Sequence, residues 1–501
     1  MLRTGVFISM TMIMTGCMVG PDYVKPEVDT PAHWRIEPGD AVGIVNTNWW
    51  QQFDDPVLDQ LIQTSLKNNR DVRIAAARVE EFAARLNITR SDLFPQVGYG
   101  ARADRTQASL ESGAGVVPGV PRTSDNFQAT LNVGWELDIW GKIRRASEAS
   151  RASLLAAEEG RRTVILSLVS AVATSYVELR SLDKQLEIAR ETLDTRAQSL
   201  QLFKLKFKGG VVSELEVAQV RSEYEQAAVR IPVLERQIAL LENSLSVLLG
   251  QNPGPIPRGR TLDEMKLPLV PEGVPSQVLD RRPDVRRAEQ NLIAANANIG
   301  VAKAQYFPTI SLTGLFGYAS SDLSTLATEP ANTWNLGGQL LGPIFTGGRV
   351  SGQVQATEAV QRQALFQYLQ TIQTVFREVD DALVSTQKSR EELAAQGRRV
   401  AALKDYARLA MLNYNEGQVS YIEVLDSERR LFDAELLYTQ NQNDVYTSLV
   451  SIYKAMGGGW ILNAENVANQ VDYAAQNQSE QAKEVPDNMQ ASDTETPPAT
   501  Q

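Results

Sequence analysis

Apolar residues fall on every seventh position along much of this chain: Ile165, Val172, Leu179, Leu186, Leu193, Leu200 and Phe207. The register returns 207 residues later as Ile372, Val379, Thr386, Leu393, Val400, Ala407 and Tyr414. A stripe with this period makes neighbouring helices coil around one another, because a straight helix of 3.6 residues per turn would rotate the stripe away. No proline interrupts Lys142 to Ile231 or Ile344 to Val485, so the usual breaker is absent. A helix from about residue 143 to 206 would be roughly 96 Å long at 1.5 Å per residue. That is about three bilayer cores of ~30 Å, and its charged faces belong in water. Gly209-Gly210 and Gly417 end the long helices, and returning helices are predicted over Glu214 to Leu249 and Ile422 to Met456. Ser213 and Ser420 stand as caps for these, with Glu216 and Glu423 at capping-box spacing. Pro232, with no counterpart near Thr439, predicts a kink in the first returning helix only. The periodicity by itself also fits a soluble coiled coil without a channel.

Elsewhere the period drops to two. Phe127, Ala129, Leu131, Val133, Trp135 and Leu137 alternate with Asn126, Gln128, Thr130, Asn132, Gly134 and Glu136. Val97, Tyr99, Ala101 and Ala103 alternate with Gly98, Gly100, Arg102 and Asp104 in the same fashion. Ile310, Leu312, Phe316 and Tyr318, then Trp334, Leu336 and Leu340, repeat the pattern less cleanly. Four strands are predicted, over about residues 94–105, 126–138, 307–319 and 333–342. A half-polar strand of about 10 residues suits either a sandwich edge in water or a membrane barrel with a polar lumen. Four strands are too few for a sandwich core in a chain of 501 residues, and Phe94, Tyr99, Trp135 and Trp334 lie near possible interface levels. Four strands also cannot close a barrel, and open edges are not tolerated in hydrocarbon. Either the strands lie outside a membrane or several copies share one barrel.

The whole chain is doubled. Asp71-Val72-Arg73 and Phe94-Pro95 return as Asp284-Val285-Arg286 and Phe307-Pro308 at an offset of 213. Gly141, Gly210, Val212, Ser213, Glu216 and Val217 return as Gly348, Gly417, Val419, Ser420, Glu423 and Val424 at an offset of 207. The change of offset falls between the two blocks, in surface loops of unequal length. Each half opens with a shorter helical stretch, Val57 to Ser91 and Pro283 to Gln305. The predicted layout is an N-terminal extension over 17–55, a first repeat over 56–250, a linker over 251–275 and a second repeat over 276–460. The remaining 461–501 lose the apolar period and read as a polar, disordered tail.

Composition removes several function classes. A net charge of -11, with a pI near 5.0, argues against nucleic acid as a partner, since phosphate binding needs clustered Lys and Arg. The single histidine, His33, leaves triads, histidine metal sites and imidazole acid/base pairs without raw material, so no catalytic constellation and no metal site is expected. The single cysteine, Cys17, closes an N-terminal segment in which Arg3 supplies a positive start, Val6 to Met14 an apolar stretch, and Thr15-Gly16 small residues. Residues 1–16 therefore read as a signal peptide; the apolar stretch is far shorter than the ~20 residues a spanning helix needs. Met14-Thr15-Gly16-Cys17 resembles a bacterial lipobox, with Met14 in place of the usual leucine. That resemblance implies an acylated Cys17 as mature N-terminus, with Met18 favouring the outer membrane.

The motifs together carry a family. Trp49-Trp50 with Phe53-Asp54-Asp55-Pro56-Val57-Leu58, the junction Trp135 to Arg144, Arg281-Arg282-Pro283-Asp284-Val285, and Tyr414-Asn415-Glu416-Gly417 followed by Ile422-Glu423-Val424-Leu425-Asp426 resemble the TolC-like outer-membrane factor family, in its lipoprotein (NodT-type) branch. The resemblance covers nearly all of the chain up to about Trp460. It implies a mainly α fold with a small β part: a long coiled-coil helical barrel continued by a transmembrane β-barrel, with four strands per chain and twelve in a homotrimer. This answers the edge problem. It further implies a periplasmic adaptor (membrane fusion protein) and an inner-membrane pump, usually of the resistance-nodulation-division type, which dock at the helical tips and drive drugs or other toxic solutes outward. The pump supplies the energy, so no cofactor is implied, and no Walker A motif occurs. By resemblance, Glu423 and Asp426 form acidic rings at a closed periplasmic gate and Tyr414 helps hold it shut, while Val419 replaces an arginine of that lock. The hairpin tips at Gly209, Gly210, Val212, Ser213, Gly417, Val419 and Ser420 are the implied adaptor contacts. Glu423 also fits a mere capping partner and Asp426 a solvated helix residue. An exit duct for a secreted polypeptide, and a non-conducting lipid-anchored scaffold, stand as alternative functions.

Overall fold

The computed structural model describes residues 18–36, 48–109, 111, 121–268, 270, 275–458 and 460–469. In chain order the elements are α1 (Pro56–Asn68), α2 (Arg70–Ser91), β1 (Gln96–Gln107), β2 (Thr123–Leu137), α3 (Lys142–Lys208), α4 (Glu214–Leu248), α5 (Pro275–Arg281), α6 (Pro283–Ala304), β3 (Thr309–Ser320), β4 (Asn332–Leu341), α7 (Arg349–Asn415) and α8 (Tyr421–Met456). The doubling is visible in these bounds: α3 and α7 are both 67 residues long and begin 207 residues apart. Likewise α2 and α6 are both 22 residues long and begin 213 apart. The signal segment and Cys17 lie outside the described residues.

By internal packing the chain forms two compact units. The first takes residues up to 28 with 77–159 and 285–371, and its centre is one antiparallel sheet in the order β1-β2-β3-β4. The period-two faces lie as the sequence predicts, since Tyr99, Leu131, Phe316 and Trp334 stand in one cross-strand row. That apolar face is open: Tyr99 is 90% exposed, Trp334 70% and Leu336 78%. An apolar face of this extent is not left to water by a soluble monomer, so it needs lipid or partners over it.

The second unit takes 29–76, 160–284 and 372 onward. Its main core is built on the heptad stripe, with Ile165, Val172 and Leu179 fully buried, while Phe207 at the far end of the stripe is 45% exposed. Trp49, Trp50, Phe53, Tyr453 and Trp460 join this core, with Trp49 stacked on Tyr453 at 5.0 Å and edge-on to Trp460 at 6.2 Å. Trp460 opens a helical stretch, 460–469, in which Ile461, Ala464 and Ala468 are buried. The predicted polar tail therefore begins later than residue 461, because a short apolar stripe too brief to stand out in sequence docks on the aromatic cluster. The stretch read as one helix from Val57 to Ser91 is two, divided at Asn69. Asn69 adopts extended backbone, its Oδ1 accepts from the amides of Asp71 and Val72, and its Nδ2 donates to Leu248 O at 3.0 Å.

The linker is bound down by one buried carboxylate. Asp55, 3% exposed, caps α1 by accepting from Val57 N at 2.8 Å, and its other oxygen accepts from Tyr176 Oη at 2.8 Å and Arg260 N at 3.0 Å. Burial, followed by the Asp55 contact, pushes the Tyr176 hydroxyl pKa upward, so it stays protonated and able to donate. A Cβ on Gly259 would stand 2.1 Å from Asp55 Oδ1. Because that carboxylate is held by donors on three segments, it has nowhere to retreat. Gly259→Ala is expected to cost about 1–3 kcal/mol through overpacking. The measurement is limited trypsin cleavage after Arg258 or Arg260, which should become faster; an unchanged rate would mean that the linker tolerates the methyl group.

Candidate functional site

Both hairpin tips close in the same way. Gly210 sits at φ +72 with its amide donating to Phe207 O, and Val211 N donates to Lys206 O at 2.9 Å. Gly417 sits at φ +75 with the equivalent pair, Gly417 N to Tyr414 O at 3.0 Å and Gln418 N to Asn413 O at 2.9 Å. These are Schellman ends, which satisfy the last carbonyls of α3 and α7 and need a residue free to take positive φ. The returning helices then differ. Ser213 and Glu216 form a complete capping box, with Ser213 N donating to Glu216 Oε2 at 2.8 Å. Ser420 makes no side-chain cap, and Glu423 N donates instead to Ser420 O at 3.2 Å. The second predicted capping box is therefore not formed, because Glu423 turns outward to accept from the Tyr406 hydroxyl.

Behind the tips lies an aromatic cluster that the sequence motifs only half revealed. Phe203 of the first hairpin packs on Tyr421 of the second at 4.1 Å, and Tyr421 meets Tyr414 edge-on at 4.9 Å. Lys206 Nζ stands 5.2 Å from the ring centres of both Phe203 and Tyr414 and donates to Tyr414 Oη at 3.3 Å. Tyr414 therefore reaches from the second hairpin to Lys206 of the first, while position 419 holds a valine. Val212 packs against the same cluster. Asp426 does not stand as a bare acid: Arg429 and Arg430 on its own helix pair with it at 2.7 and 2.8 Å. Phe203, Lys206, Tyr406 and Tyr421 were missed as site residues. They come from separate helices, and no local sequence pattern joins them.

Farther from the tips, a charged group is enclosed between helices. Arg196 of α3 is nearly buried, pairs with Glu223 of α4 at 3.2 Å and lies 5.3 Å over the Phe432 ring of α8. Glu428 of α8 has its pKa raised by burial and by the Glu223 charge, against the pull of Arg196. The raised value means that the folded state disfavours the carboxylate, a penalty present above the ordinary glutamate pKa and relieved as pH falls through the raised one. Stability is therefore expected to rise on mild acidification, and Glu428→Gln should raise the melting temperature at neutral pH and flatten that rise. An equal pH profile in wild type and variant would remove Glu428 as the cause.

In the first unit, the residues after Cys17 are strapped to the strand-to-helix junction. Val19 N donates to Trp140 O at 3.1 Å, and buried Arg145 donates to Val19 O, Gly20 O and Asp22, the last at 2.6 Å. Gly141 takes φ +74, and a Cβ there would strike Met18 Cγ at 2.8 Å. Asp138 caps the first turn of α3 through the amides of Ile143 and Arg144, both at 2.9 Å. Met18 is thereby held where β2 passes into α3.

A family profile described as outer membrane efflux protein matches residues 61–251 and 274–458, one segment in each half of the chain. The probable efflux pump outer membrane protein TtgC of Pseudomonas putida is 38% identical over 459 residues, covering 89% of this chain and 94% of that protein. The cation efflux system protein CusC of Escherichia coli is 36% identical over 461 residues, with 90% and 97% covered. Among solved structures, CusC superposes with a TM-score of 0.80 at 34% identity, over 88% of this chain and 100% of that one. The CmeC outer membrane channel of Campylobacter jejuni superposes with a TM-score of 0.84 at 26% identity, over 92% and 100%.

Proposed function

Since this chain belongs to the outer membrane efflux protein family, we propose that it is the outer-membrane exit duct of a tripartite efflux system, working as a homotrimer with a periplasmic adaptor and an inner-membrane pump. The observation that carries the reading is the sheet: four strands with an open apolar face and two unpaired edges, continued by 67-residue helices. Such a sheet is satisfied in lipid only when copies close it into a barrel. The cargo is a class of small toxic compounds. Relatives are named for toluene, antibiotic, solvent and cation efflux, and these names do not converge on one substrate.

The gate sits at the tips, where Tyr414, Glu423 and Asp426 lie beside the Phe203, Lys206 and Tyr421 cluster. It is held by packing and ion pairs within the chain. Gly209, Gly210, Val212, Ser213, Gly417, Val419 and Ser420 form the adaptor joint. An acylated Cys17 is the anchor, and the Met18 that follows it is held at the junction of β2 and α3. Two tests apply. Removing the gene should sensitise the host to several unrelated toxic compounds, with rescue by the wild-type chain; unchanged sensitivity together with loss of an exported polypeptide would favour the secretion alternative. A radiolabelled fatty acid should label the wild type and not Cys17→Ser, and equal labelling would sink the anchor.

A further inference from the structure

The two repeats tie off their returning helices at matching places. Asn69 Nδ2 donates to Leu248 O at 3.0 Å, at the end of α4. Moving these positions by the repeat offsets of 213 and 207 gives Arg282 and Ala455, and Arg282 Nη1 donates to Ala455 O at 2.9 Å, at the end of α8. The backbones meet there in both halves. A Cβ on Gly250 would stand 2.3 Å from Asn68 O, and one on its counterpart Gly457 would stand 3.2 Å from Arg281 O. All of these residues belong to the second compact unit.

The chemistry of the two ties differs. Asn69 holds α4 and the start of α2 through one neutral carboxamide. Arg282, 4% exposed, uses all five of its N–H groups. Nε and Nη2 donate to the two oxygens of Asp284 at 2.9 and 2.6 Å, and Nη1 reaches Lys454 O as well as Ala455 O. Nη2 also donates to Glu378 Oε2 of α7 at 2.8 Å. At the place on α3 that matches Glu378 the residue is Ala171, which has no charge to offer. The added contact therefore joins α7 to α8, and it occurs in the half that carries Tyr414, Glu423 and Asp426.

We infer that Arg282 is a positioning residue for the gate: it fixes α7 and α8 against each other at the end of their hairpin opposite the tip. The inference rests on the exit-duct reading and adds to it a control point far from the tip residues. The tip turn joins the two arms at one end, and Arg282 joins them at the other. Glu378 and Tyr414 lie about 54 Å apart along one unbroken helix, and Tyr421 and Ala455 about 51 Å apart along the next. A slip of one residue moves an arm by about 1.5 Å along its axis. That is enough to break the Lys206 contact with Tyr414 at 3.3 Å and to unseat Tyr421 from Phe203 at 4.1 Å. With the guanidinium in place, such a slip has first to break its bond to Glu378 or to Ala455 O, both of them charge-assisted. A planar group with donors on two edges can grip both arms at once, which the single ammonium of a lysine cannot.

The test compares Glu378→Gln, Arg282→Lys and Asn69→Ala with the wild type, each purified from outer membranes and measured in planar bilayers, with melting temperatures taken on the same samples. Glu378 is 37% exposed, so its glutamine variant keeps size and an acceptor and loses charge without burying a new group. Conductance should rise several-fold in Glu378→Gln and at least as far in Arg282→Lys. Asn69→Ala should melt lower than the wild type and conduct like it, because its tie does not reach the gate hairpin. Salt supplies a readout that a merely structural role would not move. Wild-type conductance should climb with ionic strength more steeply than the conductivity of the solution, as screening weakens the half-exposed Glu378 contact, and Glu378→Gln should reduce that excess. Wild-type conductance in both Glu378→Gln and Arg282→Lys, or an equal rise in Asn69→Ala, overturns the inference and leaves the duct standing. No conductance from the wild type or any variant overturns the duct reading itself.

Discussion

Tyr421→Ala should raise the conductance of the purified channel in planar bilayers several-fold. Tyr421 is 4% exposed, and its ring meets both Phe203 of the first hairpin and Tyr414 of the second, at 4.1 and 4.9 Å. Truncating a buried aromatic costs about 3–5 kcal/mol where the site cannot collapse. If the tips open by separating these rings, that loss falls on the closed arrangement alone, and a shift of this size is enough to invert a two-state population. Two milder variants grade the effect. Lys206→Met removes a cation lying over both rings, worth about 0.5–2 kcal/mol. Tyr414→Phe removes only the acceptor of the Lys206 hydrogen bond, worth about 0.5–1.5 kcal/mol. Conductance should increase in the order Tyr414→Phe, Lys206→Met, Tyr421→Ala, and identical conductance in all three would mean that the cluster is a core with no gating role.

Gly417→Trp should abolish efflux while leaving the protein assembled in the outer membrane. A non-glycine residue at φ +75 carries about 1–2 kcal/mol of strain. Yet among the described residues nothing lies within 4 Å of a Cβ built there, and the same holds at Gly210. The indole would therefore project from the tip without disturbing the chain's own packing, and its bulk would fall on whatever docks there. Gly417→Ala is the control, because it bears the same backbone strain without the bulk and should keep most of the efflux. Equal losses in the alanine and tryptophan variants would assign the effect to the turn, and normal efflux in the tryptophan variant would move the adaptor joint elsewhere.

The long elements were legible because their signals are summed over many residues. Seven stripe positions from Ile165 to Phe207 outweigh any single irregularity, and a repeat offset cannot drift without showing. Short-range chemistry was less legible. Asn69 divides a continuous helical pattern because its side chain offers α2 a better start than the backbone does, and no periodicity reports such a choice. Ser420 and Glu423 have capping-box spacing, yet Tyr406, seventeen residues away, takes the carboxylate. Asp426 could be placed on a helix but not paired, since its arginines at three and four residues on become partners only once the helix is formed. The aromatic cluster behind the tips was half legible for a related reason. Tyr414 belongs to a recognisable motif, while Phe203 and Lys206 reach it from another helix, a distance in sequence that no local pattern spans.

In the proposed duct, one chain supplies a third of a closed wall. Its most direct test is the native mass of the protein extracted from outer membranes in mild detergent. The prediction is a single species of three chains with no folded monomer beside it, because β1 and β4 leave their outer backbone groups unpaired unless another copy supplies the partners. A stable, monodisperse monomer that keeps its strands would contradict it.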